Sequence, residues 1–343
     1  MKAVRFVGEH APPTMQDVEK PTVRDPHDVI VRIAGAGVCR TDIHILDGAA
    51  PLQPAPPPPF TLGHENAGWI DAVGFAVSTV SVGDPVILHP AITCGICMAC
   101  RNGEDMYCTS TRFPGVDGTD GGYAEFLRTS VRAVVPLAKG VLPATQAPLA
   151  DAGITAFHAV RRILPELRAG SIVAVLGVGG LGHIGVQLVR TMSPARVFAL
   201  DLTPERIELA TRLGAERGFS TDDPDFPAEF LKASDGKGAD VVLDFVGEQN
   251  SPDVALRILR PGGTYSIVGY GGRLSVPTVA MITREIRILG NFVGNYRDLV
   301  ELMELQRQGR VAVSAKEYPL REAARAVEDL RRGRILGRAV LIP

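Results

Sequence analysis

Residues 172–182 read Ile172-Val173-Ala174-Val175-Leu176-Gly177-Val178-Gly179-Gly180-Leu181-Gly182, an apolar strand that runs into a G-x-G-x-x-G motif. The first glycine of such a motif makes a tight turn, the second lets the backbone approach a pyrophosphate, and the third packs helix on strand. The helix N-terminus then presents free N–H groups and a positive dipole end to the phosphates. The motif alone is a weak signal, but the strand before it and the amphipathic helix after it predict a dinucleotide site on Gly177, Gly179, Gly180, Leu181 and Gly182.

Asp201 ends the next apolar strand, 19 residues after Gly182. A carboxylate at this place accepts hydrogen bonds from the adenosine ribose hydroxyls and repels a 2′-phosphate, so it favours NAD over NADP. No arginine follows Asp201 directly, although Arg206 leaves some use of NADP open. The alternative is that Asp201 is only the N-cap of the helix that starts at Pro204.

From about residue 170 to 292, apolar strands alternate with helical periods, which predicts βαβ units and a parallel sheet. The predicted strands are 172–176, 196–200, 240–245, 264–268 and 287–289, and the helices between them include 181–191, 204–213 and 252–259. Before this segment, short alternating stretches such as 29–33 and 85–88, separated by glycine and proline, predict a partly open β architecture. The last 50 residues predict a helix at 295–308, a strand, a helix at 320–330 and a terminal strand at 339–342. The predicted fold class is therefore α/β.

The composition is that of an ordinary globular protein with two domains. The chain has 343 residues, of which 45% are hydrophobic and 22% are charged. Its formal net charge of −2 gives no electrostatic reason to expect nucleic acid or an anionic membrane as a partner. No apolar stretch of about 18 residues predicts a membrane span, and the N-terminus lacks the apolar h-region of a secretory signal. We therefore expect a cytoplasmic protein.

Four of the five cysteines form one short run, Cys94-x2-Cys97-x2-Cys100-x7-Cys108. These spacings let a single loop wrap a tetrahedral ion, and zinc bound by four cysteines is coordinatively closed and structural. An iron–sulfur cluster is the main competitor, but the x7 gap and the absence of a Cys-Pro pair argue against it. Disulfides are disfavoured because the cytosol keeps thiols reduced. The run therefore predicts a structural zinc site.

The fifth cysteine, Cys39, stands alone, 24 residues before a Gly63-His64-Glu65 triplet. Zinc that is bound by one cysteine and one histidine and keeps an open position is catalytic. The cysteines thus suggest two zinc ions with different tasks, and they point to an enzyme.

The segment around Cys39 reads Gly37-Val38-Cys39-Arg40-Thr41-Asp42-Ile43-His44. Together with the Gly63-His64-Glu65 triplet, the cysteine run, the glycine motif and Asp201, it resembles the zinc-dependent medium-chain alcohol dehydrogenase family, and within it the microbial NAD-dependent alcohol dehydrogenases. The resemblance covers nearly the whole chain. It implies a GroES-like, β-rich catalytic domain with the structural zinc loop (1–152), a Rossmann NAD-binding domain with a doubly wound parallel sheet (153–292) and a C-terminal return to the catalytic domain (293–343).

The resemblance also assigns the metal ligands. It implies that Cys39 and His64 hold the catalytic zinc, and that Glu65 lies beside the metal as an alternative ligand while water and substrate exchange. Asp42 would orient the zinc histidine from behind and fix its tautomer.

Asp151 marks a departure from the common pattern. Many members of the family have a cysteine as third zinc ligand at this position, whereas this chain reads Leu149-Ala150-Asp151-Ala152-Gly153-Ile154-Thr155. Some relatives also carry aspartate there, and a carboxylate oxygen binds zinc at about 2.0–2.2 Å. We therefore expect Asp151 to be a ligand that leaves the zinc a somewhat stronger Lewis acid. The alternative is that Asp151 is a helix N-cap and that Cys39, His64 and Glu65 hold the zinc.

Three further roles follow from the resemblance. Thr41 would bond the substrate oxygen, His44 would end a proton path through the nicotinamide ribose to solvent, and Arg338 would contact a cofactor phosphate. The implied reaction is reversible hydride transfer between a primary or secondary alcohol and NAD, giving an aldehyde or ketone. Two zinc ions per chain and a homotetramer or homodimer are expected.

Two other functions remain open. Polyol, sugar and amino-alcohol dehydrogenases of the same family share both zinc sites. A non-catalytic dinucleotide-binding protein on this fold is a more distant alternative, because the catalytic set around Cys39 and His64 is intact. Six prolines between residues 51 and 59 predict a stiff extended loop near the mouth of the metal site rather than a ligand for a proline-recognition domain.

Overall fold

From about residue 170 onwards, strands and helices follow one another largely as the sequence predicts. The computed structural model describes residues 1–49 and 57–343, so most of the proline-rich loop predicted at 51–59 lies outside the described residues. The strands are, in chain order, β1 (Lys2–Phe6), β2 (Thr14–Asp17), β3 (Asp28–Val38), β4 (Phe60–Thr61), β5 (Glu65–Val73), β6 (Pro85–Leu88), β7 (Phe126–Ser130), β8 (Val134–Pro136), β9 (Ile172–Leu176), β10 (Arg196–Asp201), β11 (Arg217–Ser220), β12 (Ala239–Asp244), β13 (Leu259–Ile267), β14 (Arg287–Gly290), β15 (Ala315–Pro319) and β16 (Arg338–Ile342). The α-helices are α1 (Arg40–Leu46), α2 (Met98–Arg101), α3 (Ala152–Ile163), α4 (Gly182–Met192), α5 (Pro204–Arg212), α6 (Phe226–Ala233), α7 (Ser251–Ile258), α8 (Thr278–Arg284), α9 (Tyr296–Arg307) and α10 (Ala323–Arg331).

The strand before the glycine motif, β9, lies in the middle of a six-stranded sheet with the order β11-β10-β9-β12-β13-β14. Every neighbouring pair in this sheet is parallel. All five residues of β9 are buried, as expected for a continuous apolar strand with both faces covered. This strand order is that of the Rossmann fold, in which the order reverses between β9 and β12 and the ligand binds beyond the carboxyl ends of those strands. The predicted α/β fold class is confirmed.

Three elements of this region were not predicted, β11, α6 and α8. The strand β11 is the last strand on one side of the sheet and buries only Phe219, so its sequence carries little alternation. Phe219 packs with Phe198 of β10 and with Phe226 and Phe230 of α6, at ring-centroid distances between 5.3 and 6.1 Å. Packing of aromatic side chains from β10, β11 and α6, rather than a periodic pattern within β11, therefore orders this edge of the sheet.

The longest strand, β3, organises the second large sheet. This sheet has seven strands, six of them in the order β15-β16-β3-β5-β6-β8, and β7 also pairs with β3. In the antiparallel register of β3 and β5, Gly37 lies opposite Glu65. A Cβ atom at Gly37 would lie 1.8 Å from Glu65 Oε2, so glycine is needed for the Glu65 side chain to lie across β3. The end of β3 and the start of β5 therefore meet, and this brings the segments of Cys39 and His64 together.

The chain divides into two units. Residues 1–154, 294–304 and 313–343 form the first, which contains the seven-stranded sheet and a three-stranded sheet β2-β1-β4. Residues 155–293 and 305–312 form the second, which contains the six-stranded parallel sheet. Within residues 1–49 and 57–343, no helix is long and apolar enough to span a membrane.

Candidate metal centres and dinucleotide site

Cys39 and His64 lie at the junction of β3 and β5. Cys39 follows the last residue of β3 and is the N-cap residue of α1, and His64 directly precedes β5. Both side chains are buried, with 6% and 5% of their surface exposed. Asp151 joins them from a third direction, because it ends a 3-10 segment at Pro143–Ala150 and precedes α3.

The ligand atoms of Cys39, His64 and Asp151 lie within 4.8 Å of one another. Asp151 Oδ2 is 3.7 Å from Cys39 Sγ and 3.6 Å from His64 Nε2. A tetrahedral zinc with bonds of about 2.0–2.3 Å separates its ligand atoms by roughly 3.3–3.8 Å, so the observed spacing fits such an ion. Sulfur, nitrogen and oxygen donors are also the ligand types that zinc takes. These three residues could therefore hold zinc and leave a fourth position open.

Asp42 lies beside His64, on the side of the ring opposite Asp151. Its Oδ1 lies 3.6 Å from His64 Nδ1, which leaves Nε2 directed at Asp151. Burial opposes the charge on Asp151, but the hydrogen bond and charge of His64, the charge of Arg338 and the bond to Cys39 together outweigh burial and lower the pKa of Asp151. The Asp151 side chain is thus a carboxylate, the form that binds a metal ion.

Thr41 and His44 lie on α1, the helix that starts directly after Cys39. They are three residues apart, so they share one face of the helix, and both are half-buried. Asp42, between them, is fully buried and accepts a hydrogen bond from the Cys39 N–H at 2.8 Å. This bond holds the start of α1 against the candidate metal ligand.

The four cysteines of the run form a second candidate metal centre. The sulfur atoms of Cys94, Cys97, Cys100 and Cys108 lie within 4.8 Å of one another, and none of the four is in a disulfide. Backbone N–H groups lower the pKa of Cys97 to about 6, whereas burial raises the pKa of Cys100 to about 12. A divalent cation would offset the charge of the thiolates, and a closed set of four cysteine ligands is a structural zinc site.

The glycine motif has the geometry that the sequence predicts. Gly177 has φ +84°, and a Cβ atom at Gly182 would lie 1.8 Å from the Gly177 carbonyl oxygen. Glycine is therefore required at both positions for α4 to start so close to β9. The open surface at Gly179, where a Cβ atom would meet nothing within 4 Å, leaves room for a ligand to approach the backbone.

Asp201 is tied to the glycine turn. Its Oδ2 accepts a hydrogen bond from the Val178 N–H at 2.7 Å, and its Oδ1 accepts one from the Leu202 N–H at 2.8 Å. The N-cap residue of α5 is Thr203, so the alternative interpretation of Asp201 as that N-cap is wrong. Arg206 Nη1 lies 3.6 Å from Asp201 Oδ1.

Comparison with known proteins assigns this chain to a family. Residues 25–139 match the alcohol dehydrogenase GroES-like domain and residues 180–307 match the zinc-binding dehydrogenase domain. An NAD-dependent alcohol dehydrogenase of Saccharolobus solfataricus is 33% identical over 351 residues and covers 100% of both chains. This chain belongs to the zinc-dependent medium-chain alcohol dehydrogenase family. A solved alcohol dehydrogenase from Aeropyrum pernix has a TM-score of 0.96 at 47% identity and covers 100% of both chains. A D-arabinose 1-dehydrogenase (NADP(+)) of Saccharolobus solfataricus is 32% identical over 97% of this chain and 95% of its own.

Glu65 has a different partner from the one the sequence suggested. Arg338 Nε donates to Glu65 Oε2 at 2.9 Å, and Arg338 Nη2 donates to Glu65 Oε1. Glu65 Oε1 also accepts the Ala152 N–H at 3.1 Å, and neither side chain of the Glu65–Arg338 pair is more than 3% exposed. Glu65 thus faces Arg338 rather than the group formed by Cys39, His64 and Asp151. The predicted roles of Glu65 as alternative ligand and of Arg338 as phosphate contact stay predictions.

Two contacts at the candidate catalytic centre were not predicted from the sequence. One is the pairing of Arg338 with Glu65, and the other is Tyr123, whose hydroxyl donates to Asp42 Oδ2 at 2.7 Å. Tyr123 is 81 residues from Asp42 in the chain, so no local spacing connects the two. The run Gly121-Gly122-Tyr123 before an apolar stretch predicts only a turn.

Proposed function

We propose that this chain is a zinc- and NAD-dependent alcohol dehydrogenase that transfers hydride reversibly between a primary or secondary alcohol and NAD, giving an aldehyde or ketone. The observation that carries the proposal is the buried group of Cys39 Sγ, His64 Nε2 and Asp151 Oδ2, whose spacing fits a tetrahedral zinc with one open position. Membership of the family and the similarity to NAD-dependent alcohol dehydrogenases support it.

Two zinc sites per chain follow from this proposal. Cys39, His64 and Asp151 would hold the catalytic ion, and Glu65 would have to leave Arg338 before it could act as an alternative ligand. The four-cysteine cluster, Cys94, Cys97, Cys100 and Cys108, would hold the structural ion.

The helix α1 supplies the proton chemistry. When bound, zinc supplies a Lewis acid that polarises the substrate oxygen and lowers the pKa of its hydroxyl proton. Thr41 Oγ1 orients the substrate hydroxyl by a hydrogen bond, and His44 takes up the released proton at a ring nitrogen and passes it to solvent. The alcohol carbon would give up its hydrogen with the electron pair to NAD, which would become NADH, and the carbon–oxygen bond would become a carbonyl.

The glycine motif and Asp201 hold the cofactor in this proposal. Backbone N–H groups from Gly177 to Gly182 would bind the pyrophosphate, and Asp201 would accept hydrogen bonds from the adenosine ribose hydroxyls and repel a 2′-phosphate. Arg206 lies close enough to Asp201 to reduce that repulsion, so weak use of NADP is expected. Arg338 keeps the predicted phosphate contact only through N–H groups that Glu65 does not use.

We further propose the domain limits 1–152 and 293–343 for the catalytic domain and 153–292 for the NAD-binding domain.

A homotetramer is proposed, with a homodimer as the alternative. The apolar side chains of Val279 and Ile282 on α8 support self-association, because they are 65% and 74% exposed. A cytoplasmic location is proposed, because five cysteines that act as zinc ligands must stay reduced.

A sugar or polyol dehydrogenase is the second candidate function. The 32% identity to a D-arabinose 1-dehydrogenase over nearly the whole chain favours it. The test is a screen of primary, secondary and aryl alcohols, polyols and aldoses, each with NAD and NADP. Turnover of simple alcohols with NAD supports the first proposal, and turnover of aldoses alone favours the second. A zinc content near one per chain with no turnover of any substrate would support a non-catalytic dinucleotide-binding protein.

A further inference from the structure

Tyr123 is a fully buried tyrosine at the back of the candidate catalytic metal centre. None of its surface is exposed, and its hydroxyl lies 2.7 Å from Asp42 Oδ2 and 3.1 Å from the Gly37 carbonyl oxygen. Burial and the neighbouring Asp42 carboxylate raise the pKa of Tyr123 well above its usual value, so the phenol keeps its proton and acts as a donor. A phenol has one hydrogen, and the charged acceptor at the shorter distance receives the stronger bond.

Two hydrogen bonds reach the Asp42 carboxylate, and Oδ2 accepts both of them. Asp42 Oδ2 receives the Cys39 N–H at 2.8 Å and the Tyr123 hydroxyl at 2.7 Å. Asp42 Oδ1 has no hydrogen-bond partner among the described residues and lies 3.6 Å from His64 Nδ1. The two donors on Oδ2 therefore stop the carboxylate from rotating and leave Oδ1 directed at the histidine.

The ring of Tyr123 also shapes the turn before His64. Gly63 has φ +99°, and a Cβ atom there would lie 2.2 Å from Tyr123 Cδ1. The Tyr123 N–H donates to the Leu62 carbonyl oxygen at 2.8 Å. The side chain thus contacts the segment that carries the histidine as well as the carboxylate that orients it.

We propose that Tyr123 is a positioning residue for the catalytic zinc, which holds Asp42 so that Oδ1 accepts the His64 Nδ1–H and His64 Nε2 faces the metal. The inference rests on the proposed zinc site at Cys39, His64 and Asp151. Partners behind a metal ligand typically change metal affinity by about 10–100-fold. Since Tyr123 acts one bond further out, through Asp42, we expect its hydroxyl to contribute about tenfold.

The test measures zinc affinity in the zinc-loaded full-length protein by competition with a chromogenic chelator. The same titration of Cys39→Ala shows which of the two zinc ions belongs to the catalytic site, because that ion is missing from this variant. Tyr123→Phe removes the hydroxyl and keeps the ring that packs on Gly63. The matched control is Tyr265→Phe, because Tyr265 is equally buried and its hydroxyl lies 2.7 Å from Asp244 Oδ2 in the other unit.

Tyr123→Phe is expected to weaken zinc binding at the Cys39 site about tenfold, and Tyr265→Phe is expected to leave it unchanged. In an Asp42→Ala background, Tyr123→Phe should have no further effect, because the acceptor is gone. If Asp42→Ala does not fold, Asp42→Asn replaces it, and the effect of Tyr123→Phe should fall by about half with a neutral acceptor.

Three results separate the possible failures. Unchanged zinc affinity in Tyr123→Phe overturns the inference. It is also overturned if Tyr123→Phe lowers the zinc affinity equally in the unaltered protein and in the Asp42→Ala background, since that loss would be structural. Two ions retained by Cys39→Ala would instead overturn the proposed zinc site itself. If Tyr123→Phe does not fold, p-fluorophenylalanine at position 123 fills the space of the hydroxyl without donating, and the same tenfold loss is expected.

Discussion

The sulfur of Cys39 lies 3.7 Å from the carboxylate of Asp151, although the two residues are 112 positions apart in the chain. The resemblance to the family implies that many members carry cysteine at the position of Asp151. Its oxygen lies close enough to Cys39 and His64 for us to propose it as the third donor, whereas Glu65 is engaged by Arg338. The proposed catalytic zinc therefore has a sulfur, a nitrogen and an oxygen ligand.

Cys39→Ala should abolish alcohol oxidation and lower the zinc content from two ions per chain to one. The remaining ion is held by the four-cysteine cluster, which contributes to folding on its own. Zinc analysis and a thermal unfolding curve check both parts. Full activity in this variant would refute the assignment of Cys39 as a ligand.

Asp151→Cys should keep two zinc ions, and Asp151→Ala should lose most of the catalytic ion. A thiolate is an equally suitable zinc ligand, whereas alanine leaves two protein donors. Loss of a direct ligand should exceed the roughly 10–100-fold change seen for residues behind a ligand. Chelator competition measures the affinity. If Asp151→Ala binds zinc as tightly as the unaltered protein, Asp151 is not the third ligand and Glu65 takes that role.

Asp201→Ala should raise the KM for NAD about tenfold or more and reduce the discrimination against NADP. A hydrogen bond to a charged group contributes about 1.5–3 kcal/mol, and about 1.4 kcal/mol corresponds to tenfold in binding. Steady-state kinetics with both cofactors test it. Glu205→Ala, which removes an exposed carboxylate from the same region, is the control and should change neither constant. If the two variants behave alike, Asp201 only stabilises the glycine turn.

His44→Ala should slow turnover and alter the dependence of kcat on pH, because the proton then leaves without a side-chain acceptor. Acid–base groups contribute up to roughly 10²–10⁴-fold, and a relay that solvent can replace lies at the lower end of this range. His27→Ala is the control, since His27 is exposed and has no proposed role. An unaltered pH profile in His44→Ala would show that the proton leaves by another route.

The parts that the sequence predicted correctly are those with local signals. The strand β9 was predicted with its observed ends, because its five apolar residues are bounded by Ser171 and Gly177. The glycine turn follows from three backbone requirements within six residues. Helix ends were predicted within one or two residues where proline marks the start, as at Pro204.

The parts that the sequence could not predict depend on contacts between distant segments. The pairing of Arg338 with Glu65 joins residues that are 273 positions apart, and nothing in either segment indicates it. β11 was missed because an edge strand with one buried residue has no clear period. The position of Asp151 beside Cys39 was expected only from the resemblance to the family, since its local sequence fits the start of a helix equally well.

Anomalous diffraction at the zinc edge from crystals of the full-length protein tests the central claim most directly. We expect two peaks per chain, one enclosed by the four sulfur atoms of the cysteine cluster. The other should lie about 2.0–2.3 Å from Cys39 Sγ, His64 Nε2 and a carboxylate oxygen of Asp151. Absence of the second peak, or a peak bound to Glu65 while Asp151 stays clear of it, would contradict the proposed catalytic site.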